Sequence, residues 1–423
     1  MKINKIIPRK LEYKWVIAAM CFLMIFTGLG FCSSAKSLYI APITSALGFS
    51  RSAFSINDSC RYITTAIANI FFGTMVSKYG TKRLIGAGMI CLIISSLLYS
   101  FATTLSLFYL GGIFLGLGFA WTTTTMVGVV INRWFKQNKG TVMGAVLAAN
   151  GLGAALSIHI TTPIIYQEGN PFGYQDSYHL VALILVVTTV VIMMFYKENP
   201  PVDNVLEEDI VETNKKTEGW KGFEYKTLLK KPYFYGIILC VFLRMMAGLG
   251  GITTPFFTDV GLEPEFVASS FSMLVLLLAI CKFFIGFIYD RLGVKVATNI
   301  CLVTGTLSTL VLFFVTNSLM GKVLCISYSV LGAIATPLET VMLPIIALDV
   351  FGENNYNKTL GILASVTTIG QALGTPIMNL AFDILKSYNV SFAISLVVSL
   401  VILIVMNLSM CYSAREKRAL NIK

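Results

Sequence analysis

The sequence predicts an all-α membrane protein, with twelve transmembrane helices in two pseudo-symmetric six-helix bundles. Three observations carry that prediction. The 423 residues are 56% hydrophobic and only 13% charged, whereas a soluble domain carries about 25% charge. The apolar residues gather in runs of the roughly 20 residues that a helix needs to cross a bilayer. The second half of the chain repeats signposts of the first, as two copies of one ancestral unit would.

The runs fall at residues 15–40, 52–76, 84–103, 106–131, 140–165 and 178–196. They resume at 233–258, 266–288, 296–316, 321–347, 357–382 and 390–412. Runs this long and continuous are helices, because barrel strands alternate polar and apolar residues over about ten positions. The first run is too long for the core of a cleavable signal and lacks a small-residue cleavage site, so it is expected to remain as the first span. The nine cysteines lie within the runs or at their edges and form no C-x-x-C pair. They read as packing residues, with no disulfide or metal spacing.

The net charge of +11 has no nucleic acid behind it, because the basic residues sit in short turns and not in a patch interleaved with aromatics. Lys2, Lys5, Arg9, Lys10 and Lys14 precede the first run. Lys78, Lys82 and Arg83 follow the second, Arg133, Lys136 and Lys139 the fourth, and Arg291 and Lys295 the eighth; Arg415, Lys417 and Arg418 lie in the tail. Residues 166–177 and 259–265 on the other side contain no Lys or Arg. The positive-inside bias then places both termini in the cytoplasm of a multi-pass cell-membrane protein. Residues 197–232 mix Glu207, Glu208, Asp209 and Glu212 with Lys215, Lys216 and Lys221, and open on Pro200-Pro201. This stretch reads as a cytoplasmic linker between an N-terminal bundle, 1–196, and a C-terminal bundle, 233–423.

The repeat is explicit. Gly73, Lys78, Gly80 and Lys82 recur as Gly286, Arg291, Gly293 and Lys295, an offset of 213 (286 − 73). Gly28-Leu29-Gly30 recurs as Gly248-Leu249-Gly250, an offset of 220 (248 − 28). The difference of seven predicts a shorter loop after span 7. The Gly112–Gly116 and Gly140–Gly144 pairs allow close helix approach. Gly-rich stretches inside apolar spans, with no strand before them, do not form phosphate loops.

On these residues the chain resembles the major facilitator superfamily over nearly its whole length. The glycine–basic–glycine–basic turns after spans 2 and 8, with Asp290 in the second copy, are similar to the mark of that superfamily; Asn132-Arg133-Trp134-Phe135 with Lys139-Gly140 is similar to another. The resemblance implies a cytoplasmic gate made of Gly73, Lys78, Gly80, Lys82, Arg133, Gly286, Asp290, Arg291, Gly293 and Lys295. Ser77 stands where the first copy usually has Asp, which implies a weaker latch in that half. A narrower resemblance, to monocarboxylate and oxalate–formate carriers, rests on Ala35-Lys36-Ser37, on Leu338-Glu339-Thr340, and on Lys282 where those carriers place a substrate-binding Arg. Leu278 replaces the Asp usual in monocarboxylate carriers, and no Lys lies between 359 and 382, which speaks against a dicarboxylate. Span 5 lacks the Gly-Pro motif of drug–proton antiporters.

Charges within the spans supply the physical argument. Each costs roughly 2.5–3.5 kcal/mol at the bilayer centre on insertion scales, so it needs a partner, a cavity or a task. Six stand out: Lys36, Asp58, Arg61, Arg244, Lys282 and Glu339. Arg61 either pairs with Asp58 at i,i+3 or contacts solute with its planar fork. Arg244 has no acidic neighbour at helical spacing in its own span, and Lys282 sits among Leu278, Ile280, Phe283 and Phe284. Glu339 is either a proton carrier or a charge partner. Four cations against two acids make a surplus that suits an anion. The expectation is a secondary active transporter, not an enzyme, carrying a small monocarboxylate-like organic anion. Lys36, Arg61, Arg244 and Lys282 would bind the substrate, and Asp58 and Glu339 would serve in proton coupling or as charge partners. It would work as a monomer, with no cofactor or metal, by proton symport or by exchange. Two rivals are efflux of amphipathic compounds and a non-transporting membrane sensor.

Overall fold

A computed structural model describes residues 13–34, 37–167, 169–199, 222–249, 252–385 and 387–419. It has the expected all-helical architecture. Its helices form twelve passes, and among the described residues eight helices are long and apolar enough to cross a bilayer, one of them running through two consecutive passes. Helix α1 joins Tyr13–Ile25, a π-helical Phe26–Ser34 and Ser37–Leu47. Then come α2 (Arg51–Tyr79), α3 (Thr81–Phe101), α4 (Leu105–Thr122 and Thr124–Trp134), α5 (Lys139–Ile165) and α6 (Gly173–Phe195). A one-turn helix, Tyr225–Leu228, precedes the second set. That set is α7 (Pro232–Met246 and Thr253–Asp259), α8 (264–292), α9 (294–312), α10 (Leu319–Ala335, Pro337–Thr340 and Met342–Phe351), α11 (Tyr356–Leu385) and α12 (Tyr388–Ala419).

Passes α4 and α7 are interrupted near mid-length, α1 carries a π-helical stretch there, and α10 is segmented around Pro337 with its backbone still helical at Thr336 and Val341; these are every third helix of each set. Thr123 leaves helical geometry at φ −112°, ψ −157°, and the residues after Met246 leave it in α7. A broken helix exposes backbone groups that lipid cannot satisfy. Such breaks persist only where protein or a water-filled space surrounds them, and in transporters they mark the solute site.

The seven residues missing from the second repeat do not come from the loop. Residues 48–50 join α1 to α2 and residues 260–263 join α7 to α8, so the loop is no shorter. The outer segment of α7 has 7 residues where that of α1 has 11. The deletion shortens the outer segment of the helix and its break.

All the basic turns lie at one end of the bundle, called here the basic end. Tyr13 donates to the Phe195 carbonyl at 2.6 Å, tying the first pass to the sixth, and Trp15 meets Phe135 edge-on. Small residues bring the helices together. A Cβ on Gly112 would lie 2.3 Å from Asn57 Oδ1, and one on Gly116 would lie 2.5 Å from the Arg61 carbonyl. Large apolar side chains such as Ile63, Ile67, Phe71, Val187 and Ile404 are exposed on the outer surface, where lipid covers them.

Candidate functional site

The seam between the two sets of helices is where α5 meets α8 and α2 meets α11. Gly140 and Gly286 touch backbone to backbone: a Cβ on Gly286 would lie 2.0 Å from the Gly140 carbonyl oxygen. A Cβ on Gly144 would lie 2.2 Å from the Lys282 carbonyl oxygen, whereas one on Gly151, two turns further along, would meet Ala279 Cβ at 3.3 Å. The α5–α8 seam therefore closes at the basic end and loosens away from it.

Asp290 locks that closure. Its carboxylate accepts from the N–H of Gly140 at 3.0 Å, and from the N–H and the hydroxyl of Thr141 at 2.7 and 2.6 Å. These are first-turn donors of α5, which have no partner inside their own helix, and the anion also faces the positive end of the helix dipole. The first repeat is built differently. Gly73 packs on the start of α11, where its Cβ would lie 2.8 Å from the backbone of Asn357 and Lys358. Ser77, however, donates to the carbonyl of Gly73 in its own helix at 2.9 Å. The contact is present and the lock is missing, as the serine implies.

The other turn residues serve their own set. Gly80 and Gly293 adopt positive φ, 78° and 83°, a region open to glycine at little cost, and turn the chain between consecutive helices. Arg133 Nη1 pairs with Glu198 Oε1 at 2.8 Å. That carboxylate also accepts from the N–H groups of Thr81 and Lys82, each at 2.7 Å, and so caps α3. Burial raises the Glu198 pKa, but these donors and Arg133 outweigh it and hold the group below its usual value. Lys78 lies over the Tyr79 ring and Arg291 over that of Phe287, while Lys295 donates to Cys411 Sγ at 3.3 Å. Sequence reasoning misses Glu198, because it falls within the stretch 197–232 expected to be a linker. It also misses Thr141, for which no local signal exists.

Within the membrane the charges pair in a way the spacing shows only in part. Arg61 Nε lies 3.2 Å from Asp58 Oδ1, one turn away on α2, and its guanidinium stacks 4.1 Å above the Tyr62 ring. Arg244, with no acid in its own pass, finds one across the bundle: its Nε lies 3.2 Å from Glu339 Oε1. The pair sits beside the break of α7 and the Pro337 segment of α10, against a small cleft of about 20 Å³ also lined by Cys240, Leu343, Ile346 and Met406. Both side chains keep about a quarter of their surface exposed, 22% and 25%.

Lys282 is elsewhere. It is 3% exposed and donates to the Leu147 carbonyl of α5 at 3.3 Å, about two turns inside the Asp290 lock. No carboxylate among the described residues pairs with it. Lys36 lies outside the described residues. The expected surplus of two positive charges therefore resolves into two neutral pairs and Lys282, with Lys36 unplaced.

The model of the Major Facilitator Superfamily matches residues 15–338 and 254–421. The uncharacterized MFS-type transporter YcxA of Bacillus subtilis is 23% identical over 234 residues, which is 54% of this chain and 54% of that protein, so the chain spans about half of that relative's length. Multidrug resistance protein 2 of the same organism is 23% identical over 82% of this chain and 83% of its own. Monocarboxylate transporter 13 of Bos taurus is 25% identical over 75% of this chain and 71% of its own. Among solved structures, the proton:xylose symporter XylE bound to 6-bromo-6-deoxy-D-glucose superposes with a TM-score of 0.71 at 11% identity, covering 93% of this chain and 94% of its own. At that identity the likeness concerns the fold.

Proposed function

The chain belongs to the major facilitator superfamily and is a multi-pass membrane transporter of small molecules, and we propose that its cargo is a small monocarboxylate-like organic anion. The observation that carries this reading is the Arg244–Glu339 pair in the cleft between α7 and α10. A guanidinium offers two parallel donors to a carboxylate. In the unloaded state Glu339 occupies that fork. A proton on Glu339 removes its charge and frees Arg244 for the carboxylate of the cargo, so proton and anion enter together and the cleft stays neutral. This is proton symport in its simplest electrostatic form. Exchange of one anion for another through the same fork needs no proton.

The apolar walls of the cleft, Leu343, Ile346 and Met406, suit the carbon skeleton of a short carboxylate. Transport would proceed by alternating access, the bundles 1–196 and 233–423 rocking about the cleft. The closed α5–α8 seam would be the cytoplasmic gate, with both termini on that side of the cell membrane. Lys282, bonded across the seam, would report cargo binding to the gate.

Uptake into proteoliposomes tests the reading, with labelled lactate, pyruvate, formate and oxalate and with or without a pH gradient. Saturable, gradient-stimulated uptake of a monocarboxylate, lost in Arg244→Gln, is the expected result. With Glu339→Gln, uptake that persists but ignores the gradient supports symport. A second reading, export of amphipathic compounds, has the same apolar walls and the likeness to a multidrug resistance protein in its favour. It predicts that cationic dyes compete and that Arg244→Gln leaves transport intact; that outcome would overturn the anion proposal.

A further inference from the structure

The two bundles differ at one equivalent place. Gly80 and Gly293 share a backbone conformation, φ 78°, ψ 165° and φ 83°, ψ 172°, so the starts of α3 and α9 are counterparts. In the first bundle the end of the sixth pass delivers a carboxylate, Glu198, which bonds the start of α3 and Arg133. In the second bundle the end of the twelfth pass delivers Arg415, Lys417 and Arg418. The charges are also placed the other way round: Asp349, near the end of α10, pairs with Lys417 of the twelfth pass at 3.4 Å.

Where Glu198 would be, the second bundle has a recess of about 340 Å³, lined by Lys295, Asp349, Arg415, Lys417 and Arg418. Four cations and one carboxylate leave three surplus positive charges. Among the described residues no carboxylate pairs with Lys295, Arg415 or Arg418; the Lys295 ammonium has only the Cys411 sulfur, at 3.3 Å. The positive-inside bias accounts for cations at this end. It does not account for their convergence from α9 and α12 on one recess, at the position where the other bundle has an anion of its own.

We propose that this recess binds a phosphate-bearing anion, whose oxygens stand where the Glu198 carboxylate stands in the first bundle. Arginine forks match phosphate oxygens in paired, charge-assisted bonds. The recess opens at the basic end of the bundle, where the phosphates of anionic lipids gather against basic pockets. A lipid headgroup and free phosphate share this chemistry.

The test uses the purified full-length chain in neutral detergent, following the thermal unfolding midpoint at constant ionic strength. One series titrates dihexanoyl phosphatidylglycerol, the other inorganic phosphate. Saturable stabilisation by at least one is expected; stabilisation by the lipid alone assigns a headgroup, and stabilisation by phosphate assigns a free anion. The double variant Lys295→Gln/Arg415→Gln should bind about tenfold more weakly or worse, the equivalent of at least one charge-assisted hydrogen bond. Arg83→Gln, a charge loss at the same end in the other bundle, should bind as the parent does. No saturable shift with either probe, or equal affinity in the double variant, overturns the proposal. If the double variant does not fold, Asp349→Asn decides: it releases Lys417 and should tighten binding, and unchanged or weaker binding overturns the proposal.

Discussion

Asp290→Asn probes the closure of the basic end with the least change in shape. The carboxylate accepts three bonds from the first turn of α5, at 3.0, 2.7 and 2.6 Å. Asparagine keeps one acceptor oxygen and loses the charge. A hydrogen bond to a charged group contributes about 1.5–3 kcal/mol and a neutral one about 0.5–1.5, and the attraction of an anion to a helix N-terminus adds about 0.3–1 kcal/mol. The closed seam should therefore lose about 1–2 kcal/mol relative to the open one, a shift of roughly tenfold in their ratio. Spin labels on Gln137→Cys and Leu292→Cys, in a chain whose native cysteines are replaced, flank the seam from opposite bundles. Double electron–electron resonance should show the longer-distance population rising about tenfold in Asp290→Asn, and further in Asp290→Ala. Identical distance distributions in the parent and both variants would refute the assignment of Asp290 as the lock.

Ser77→Asp should do the reverse: an anion one turn beyond Gly73, facing the start of α11, adds about 0.3–1 kcal/mol to closure, seen as a smaller long-distance population with the same labels. Glu198→Gln should destabilise the protein by about 1 kcal/mol once solvent screening of the partly exposed Arg133 pair is allowed for. Because the folded pKa of Glu198 lies below its usual 4.5, its contribution is present above that value and is lost as pH falls through the lower folded one. The parent should lose unfolding temperature across that window more steeply than the variant, and equal slopes would argue against the cap. Lys282→Gln should abolish uptake while leaving the unfolding temperature within a few degrees of the parent; unchanged kinetics would remove Lys282 from the transport cycle.

Much of this was legible in the chain itself, for two physical reasons. A bilayer sets the length of every span and water sets the side of every basic turn, so composition and run length determine the twelve passes and their division into two sets. Glycines needed at positive φ, as at 80 and 293, and glycines needed for backbone contact, as at 140, 144 and 286, leave a fixed spacing that survives duplication. The Arg61–Asp58 pair could be read as well, because both residues lie on one turn of one helix. Partners brought together from distant segments could not be read. Glu339 reaches Arg244 across 95 residues (339 − 244), Asp290 reaches the start of α5 across 149 (290 − 141), and Glu198, read as linker, turns back to cap α3. Helical periodicity says which residues share a face, and nothing about which other helix that face will meet. The packing of the helices settled that: it set Glu339 against Arg244 within the second bundle and bonded Lys282 to the Leu147 carbonyl across the seam.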